Sequence, residues 1–443
     1  MGYLPTDPAN FASEAIDGFA AAYPRHVRRI DGGVMRLAPI PSGQVGVVVG
    51  GGSGHYPAFA GLVGRGLAAG AVCGNIFASP SAGQVVRVGS AVERGAGLLL
   101  TFGNYAGDVL HFTLGAERLR RQGIDVRIVT VTDDIASAPI DQQELRRGIA
   151  GGLAVYKVAG AAAEAGLPLD EVERLARKAN GRTRSLGVAF SGCTLPGADQ
   201  PLFEVPSGRM AIGMGLHGEP GLSEGPLTEA GPLAALLVER LLAERPADVP
   251  EDQQRLVVLL NGLGCFKYEE LFVLFGAVNR ELQGRGVVMA DCECGELVTS
   301  LDMAGVSLSF FWLDGELEGF WNAAADSAAY RRGQLAAESD GPQPLATQRP
   351  EPELPSGPPT QTAAPLTPVQ QALLARFKAV EEELQERVEE LGGLDAVAGD
   401  GDHGLGMLRG IRGARESAIG ACGRGCGPGE VLMEAGEAWS DHG

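Results

Sequence analysis

Along most of the chain, short runs of aliphatic and β-branched residues alternate with segments whose apolar positions recur every three or four residues. Segment 8–22 puts Phe11, Ala15, Ile16, Phe19 and Ala20 on one helical face. Val45-Gly46-Val47-Val48-Val49 then reads as a buried strand, as do Gly97-Leu98-Leu99-Leu100-Thr101 and Val126-Arg127-Ile128-Val129-Thr130-Val131. Helices are predicted from Pro57, after Ser79-Pro80-Ser81, after Asp108, and over about 141–165 and 169–181. Strands near 186–190, 209–214, 255–260 and 305–312 alternate with helices near 230–243 and 267–283. This alternation predicts an α/β protein with mostly parallel sheets.

The pattern stops at about Glu338. From there to Pro368 the chain holds nine of its 27 prolines among Gln, Thr, Ser and Glu, which reads as an extended linker. Residues 369–391 are again helical. Leu373, Leu374, Phe377, Val380 and Leu384 mark the apolar face, and Glu381, Glu382, Glu383 and Glu386 the solvated one.

Composition narrows the function. The 443 residues carry a net charge of −19, which argues against a nucleic acid or an anionic membrane as partner. No apolar run reaches the ~20 residues needed to span a bilayer, and the first residues show no signal-peptide pattern, so a cytoplasmic location is expected. The seven cysteines lack zinc-site spacing and read as reduced thiols.

The candidate chemistry sits at predicted strand ends, where α/β folds bind ligands. Gly50-Gly51-Gly52-Ser53-Gly54-His55 follows one strand, but it is neither a dinucleotide fingerprint nor a Walker loop, because the chain contains no Gly-Lys pair. Asp108 follows the next strand. His217 stands in Gly213-Met214-Gly215-Leu216-His217-Gly218-Glu219-Pro220-Gly221, among residues too small to crowd it. An imidazole there suits an acid, base, ligand or nucleophile. Asn261-Gly262-Leu263-Gly264 occupies a similar place and reads as a structural loop or subunit contact. After the linker, Asp395, Asp400 and Asp402 put three carboxylates within eight residues, hard oxygen ligands suited to Mg²⁺ or Ca²⁺.

These motifs together, G-G-G-S-G-H at 50–55, N-Y-x-G-D at 104–108, G-x-H-G-E-P-G at 215–221 and G-D-G-D-H-G at 399–404, resemble the dihydroxyacetone kinase family. The resemblance implies a ketose-binding K domain over 1–335, with α/β subdomains about 1–184 and 185–335. It implies a linker over 336–368 and, over 369–443, the first part of an all-α nucleotide-binding L domain. It also implies a substrate held as a hemiaminal on His217, with Asp108 as general base, His55 as its hydrogen-bonding partner, and Gly52 and Ser53 contacting substrate oxygens. Asp395, Asp400 and Asp402 are expected to hold two Mg²⁺ ions on ATP, with His403 and Gly404 beside the nucleotide. A homodimer is expected, and this chain, with only the first part of the L domain, is expected to show little or no kinase activity alone. Two departures stand out. The loop after His55 reads Tyr56-Pro57-Ala58-Phe59-Ala60-Gly61 where the family has E-P-A-H-A-G, and Gly103 replaces a frequent lysine. Either the room at Gly103 admits a larger ketose such as erythrulose, or another side chain or water fills it. A non-catalytic ketose sensor and a lyase acting on FAD are the alternative functions.

Overall fold

A computed structural model describes residue 4 and residues 7–251, 254–333, 365–396 and 401–443. The chain divides into two compact units, Met1–Gly333 and Gln334–Gly443.

The first unit is built on two six-stranded sheets. Strand order in the first is Val27–Ile30, Gly33–Arg36, Gly70–Ile76, Gly46–Ser53, Leu98–Gly103, Val126–Val131. The last four of these run parallel. Side chains alternate across the pleat. Val48, Leu98 and Leu100 pack with Val85, Val88 and Phe112 of helices Ala82–Val92 and Ala106–Arg121. Val47, Val49 and Leu99 face the opposite way, toward helix Gly152–Glu164.

The second sheet runs Ser223–Pro226, Arg209–Ile212, Thr183–Ala189, Gly305–Trp312, Arg255–Gly262, Val288–Gly295. Leu256, Val258 and Leu260 pack beneath helices Ala230–Ala243 and Tyr268–Gly284, while Val257, Leu259 and Phe311 join the core shared with the first sheet. Helix Gly152–Glu164 belongs to that shared core, so all its residues except Glu164 are buried. A helix apolar on every side is stable only when enclosed in this way.

The α/β class is confirmed, with three corrections of detail. Mostly parallel pairing holds in the first sheet. In the second, only Arg255–Gly262 with Val288–Gly295 is parallel, and the other four pairings are antiparallel. The helix expected over 141–165 is broken: a 3-10 segment at Ile140–Leu145 precedes helix Gly152–Glu164. Buried Asp133 accepts hydrogen bonds from Ile149 N and Gly151 N, at 2.8 and 2.9 Å, and holds the intervening turn open. No helix starts at Pro57; Ala60–Leu62 forms one 3-10 turn.

In the second unit, helices Pro368–Asp395, His403–Gly423 and Pro428–His442 pack through Ala414, Ala418, Val431 and Ala435. The first begins at a capping box in which Thr367 and Gln370 satisfy each other's backbone N–H, as the Thr-Pro-Val-Gln order permits. The proline-rich residues 334–364 lie outside the described residues. All seven cysteines are free. No described helix is long and apolar enough to cross a membrane.

Candidate active site

The first sheet's parallel strands end at a common edge. Gly46–Ser53 delivers His55 there, and Leu98–Gly103 delivers Asp108 in the first turn of the following helix. His217 comes from the other sheet, five residues past Arg209–Ile212.

The structure brings the two histidines together. His55 Nε2 lies 3.0 Å from His217 Nε2. His55 is buried and stacks on Phe77, with ring centroids 4.9 Å apart. Its Nδ1 lies 2.8 Å from the Thr299 carbonyl, which can only accept, so Nδ1 carries a proton. Burial, with the neighbouring His217 charge, lowers the His55 pKa to about 3, so the ring is neutral and Nε2 is an acceptor. His217 Nε2 therefore donates to it.

On the other side of the ring, His217 Nδ1 lies 3.0 Å from Glu219 Oε1, and Glu219 Oε2 accepts the His217 backbone N–H at 3.0 Å. Burial works against the Glu219 carboxylate. The His217 hydrogen bond, the His217 charge and the Arg147 guanidinium outweigh it and bring its pKa down to about 2. With His55 neutral and Glu219 ionised, both His217 ring nitrogens serve as donors in these contacts.

A second layer fixes these groups. Arg147 contacts Asp134 at 2.8 Å and Glu219 at 3.9 Å, and donates to Gly213 O at 3.2 Å. A Cβ on Gly215 would fall 2.1 Å from Glu219 Oε2 and 2.7 Å from Arg147 Nη1, so only glycine leaves space for that contact. Segment 299–301 ties the two histidine loops: Thr299 N bonds His55 O, and the buried Ser300 hydroxyl donates to Leu216 O at 2.5 Å. Asn261 anchors that segment in turn. Its Oδ1 accepts from Leu297 N and Val298 N, and its Nδ2 donates to Val298 O and Ser307 Oγ. Asn261 is thus structural, one of the two roles its sequence position allowed.

Asp108 is buried, and burial raises its pKa to about 7 against the opposing Ser79 hydrogen bond and His217 charge. Its Oδ1 is buried without a partner among the described residues. An unsatisfied buried acceptor costs about 1–3 kcal/mol, which a ligand hydroxyl would relieve. The hydrogen bond expected between His55 and Asp108 is not formed: Thr299 and His217 take both His55 nitrogens. Gly52 and Ser53 close the strand before His55, and the Ser53 hydroxyl donates to Gly74 O at 2.6 Å. At Gly103 a side chain fills the space, because a Cβ there would lie 3.0 Å from the Tyr105 ring.

In the second unit Asp395 ends one helix and His403 and Gly404 begin the next. Asp395 Oδ2 accepts from Gly401 N at 2.9 Å, which draws the Asp395 carboxylate to the turn bearing Asp402. Asp402 makes no capping bond with its side chain, so its oxygens are not spent on the helix end. The two carboxylates are hard oxygen donors of the type a divalent cation takes, but among the described residues no group of three candidate ligands is gathered there. Asp400 lies outside the described residues.

Glu219, Arg147, Thr299 and Ser300 were not among the residues expected to form the site. Glu219 was visible within the histidine motif, two positions on. The others carry no local signal.

Fold and site define a small-molecule-binding α/β protein organised around a paired histidine. The Dak1 domain family model matches residues 17–329, and the chain belongs to the dihydroxyacetone kinase family. It is 52% identical to an L-erythrulose kinase of Pectobacterium atrosepticum over 442 residues, covering 100% of this chain and 74% of that protein. It is 52% identical to a D-erythrulose kinase of Mycolicibacterium smegmatis, covering 99% of this chain and 75% of that protein. Among solved structures, the dihydroxyacetone kinase from C. freundii in complex with AMP-PNP and Mg²⁺ matches with a TM-score of 0.68 at 31% identity, covering 99% of this chain and 79% of that one.

Proposed function

We propose that the chain is an ATP-dependent kinase of short ketoses, with erythrulose rather than dihydroxyacetone as preferred substrate, which it phosphorylates at a terminal hydroxyl. Its similarity, along its own length and about three quarters of theirs, to erythrulose kinases of both enantiomeric kinds supports the substrate class. The observation that carries the mechanism is the 3.0 Å contact between His55 Nε2 and His217 Nε2.

His217 forms a hemiaminal with the ketose carbonyl. Its Nε2 proton passes to His55 Nε2, which frees the Nε2 lone pair. That lone pair bonds to the carbonyl carbon as the C=O π pair moves onto oxygen. His55, a strong acid once charged, returns the proton to that oxygen. His217 ends as a substituted imidazolium opposite the Glu219 carboxylate, so charge is conserved through the step. Glycerol lacks a carbonyl and is not trapped. Asp108 then takes the proton of the terminal hydroxyl as its oxygen bonds to the γ-phosphorus of ATP and the bond to the bridging oxygen of ADP breaks. A carboxylate held near neutral pKa suits that task.

Asp395, Asp400 and Asp402 would hold Mg²⁺, with His403 and Gly404 beside the nucleotide. The metal supplies neutralisation of phosphate charge. Calorimetric titration of this chain with both erythruloses, dihydroxyacetone and glycerol tests the reading. Ketoses should bind and glycerol should not; equal binding of glycerol would refute it.

A further inference from the structure

Tyr105 caps the start of helix Ala106–Arg121, yet its side chain makes no capping bond. Its ring stands edge-on to His217, with centroids 5.1 Å apart and planes at 80°. Its hydroxyl oxygen is buried and has no hydrogen-bond partner among the described residues. The surrounding backbone is fixed independently of that hydroxyl. Tyr105 N bonds Gly103 O, Asn104 N bonds Val131 O, and the Asn104 amide donates to Glu144 O and Arg146 O. A rigid loop therefore holds an unsatisfied donor inside the site, where buried polar groups are otherwise paired.

Two further observations define its role. First, the ring occupies the space that a side chain at position 103 would enter: a Cβ on Gly103 would lie 3.0 and 3.1 Å from Tyr105 ring carbons and 3.4 Å from Gly148 O. Second, another buried polar atom of the site, Asp108 Oδ1, also has no partner among the described residues. A ketose on His217 would thus find a carboxylate oxygen and a phenol both free to bond its hydroxyls.

We propose that Tyr105 determines substrate length: its hydroxyl hydrogen-bonds the additional hydroxyl that a four-carbon ketose has and a three-carbon ketose lacks. The inference rests on the reading of His217 as the ketose anchor. A neutral phenol in a rigid, desolvated setting selects a substrate hydroxyl strongly, because the shorter ligand leaves it unpaired.

The test is calorimetric binding of D-erythrulose, L-erythrulose, dihydroxyacetone and glycerol to this chain, to Tyr105→Phe and to Gly103→Ala, with thermal melts confirming that each variant folds. Tyr105→Phe should weaken the preferred erythrulose by about tenfold or more while changing dihydroxyacetone by less than about twofold. Gly103→Ala, which displaces the ring, should show the same selective loss. An equal fall for both ketoses would overturn the proposal and reduce Tyr105 to a support for His217. No change for either would also overturn it. If the unaltered chain binds no ketose, the anchor reading fails first, and this inference fails with it.

Discussion

His217 and His55 meet nitrogen to nitrogen, their Nε2 atoms 3.0 Å apart, with a Thr299 carbonyl behind one ring and the Glu219 carboxylate behind the other. This relay runs across 244 residues of sequence between His55 and Thr299 and 162 between the histidines. It makes the site sensitive to pH through a group that must stay neutral.

Burial lowers the His55 pKa from 6.5 to about 3. The folded state thus resists protonation that the unfolded chain accepts. Stability from this group is complete above pH 6.5 and is lost as pH falls from there toward 3. Between pH 7 and pH 5 the loss is about 2 kcal/mol. Denaturant unfolding of the chain and of His55→Phe at both pH values should show the variant losing less stability on acidification. Equal losses would remove His55 as the responsible group.

Asp108 has the opposite sign. Its pKa rises from 3.8 to about 7, so its contribution is fully present below pH 3.8 and is lost as pH climbs through 7. Asp108→Asn mimics the protonated form. Relative to the unaltered protein it should gain stability between pH 4 and pH 8, by about 4 kcal/mol at most. A variant whose relative stability does not rise with pH would show that the carboxyl carries no such strain. Function of this kind is maintained at a cost in stability.

Glu219 acts on His217 Nδ1 and is itself held by Arg147. Glu219→Gln keeps the shape but removes the charge that would face the proposed substituted imidazolium. Ketose affinity should fall about 10- to 100-fold by calorimetry, while the melting temperature changes little. Arg147→Met, which loosens Glu219 without touching His217, should give a smaller loss in the same direction. Undiminished binding in Glu219→Gln would separate Glu219 from the anchor.

The legible parts of the sequence were those with strong local pattern. Val47-Val48-Val49 and Leu98-Leu99-Leu100 revealed the first sheet because both faces of each strand are covered, and the residues that follow them were correctly placed at strand ends. The adjacent strand Gly70–Ile76, Gly-Ala-Val-Cys-Gly-Asn-Ile, was not seen, because its small residues lack bulk and β-branching. Strand direction in the second sheet was misread for a related reason: Gly305–Trp312 is buried on both faces, which imitates a parallel strand although both its neighbours, Thr183–Ala189 and Arg255–Gly262, are antiparallel to it. The break near 146–151 depends on Asp133, distant enough in sequence to escape periodicity. At the site, glycine-flanked His55 and His217 were visible, but their mutual contact was not. No local spacing encodes the partnership of Thr299, Ser300 or Arg147.

The central claim is a bond between His217 Nε2 and the ketose carbonyl carbon. Carbon-13 NMR of this chain with ketose labelled at the carbonyl tests it directly, with His217→Ala alongside. The account predicts that bound label leaves the carbonyl region for that of a tetrahedral carbon bearing nitrogen and oxygen, and that the substitution abolishes the signal. A bound ketose that keeps its carbonyl resonance, or an unchanged tetrahedral signal in His217→Ala, would contradict it.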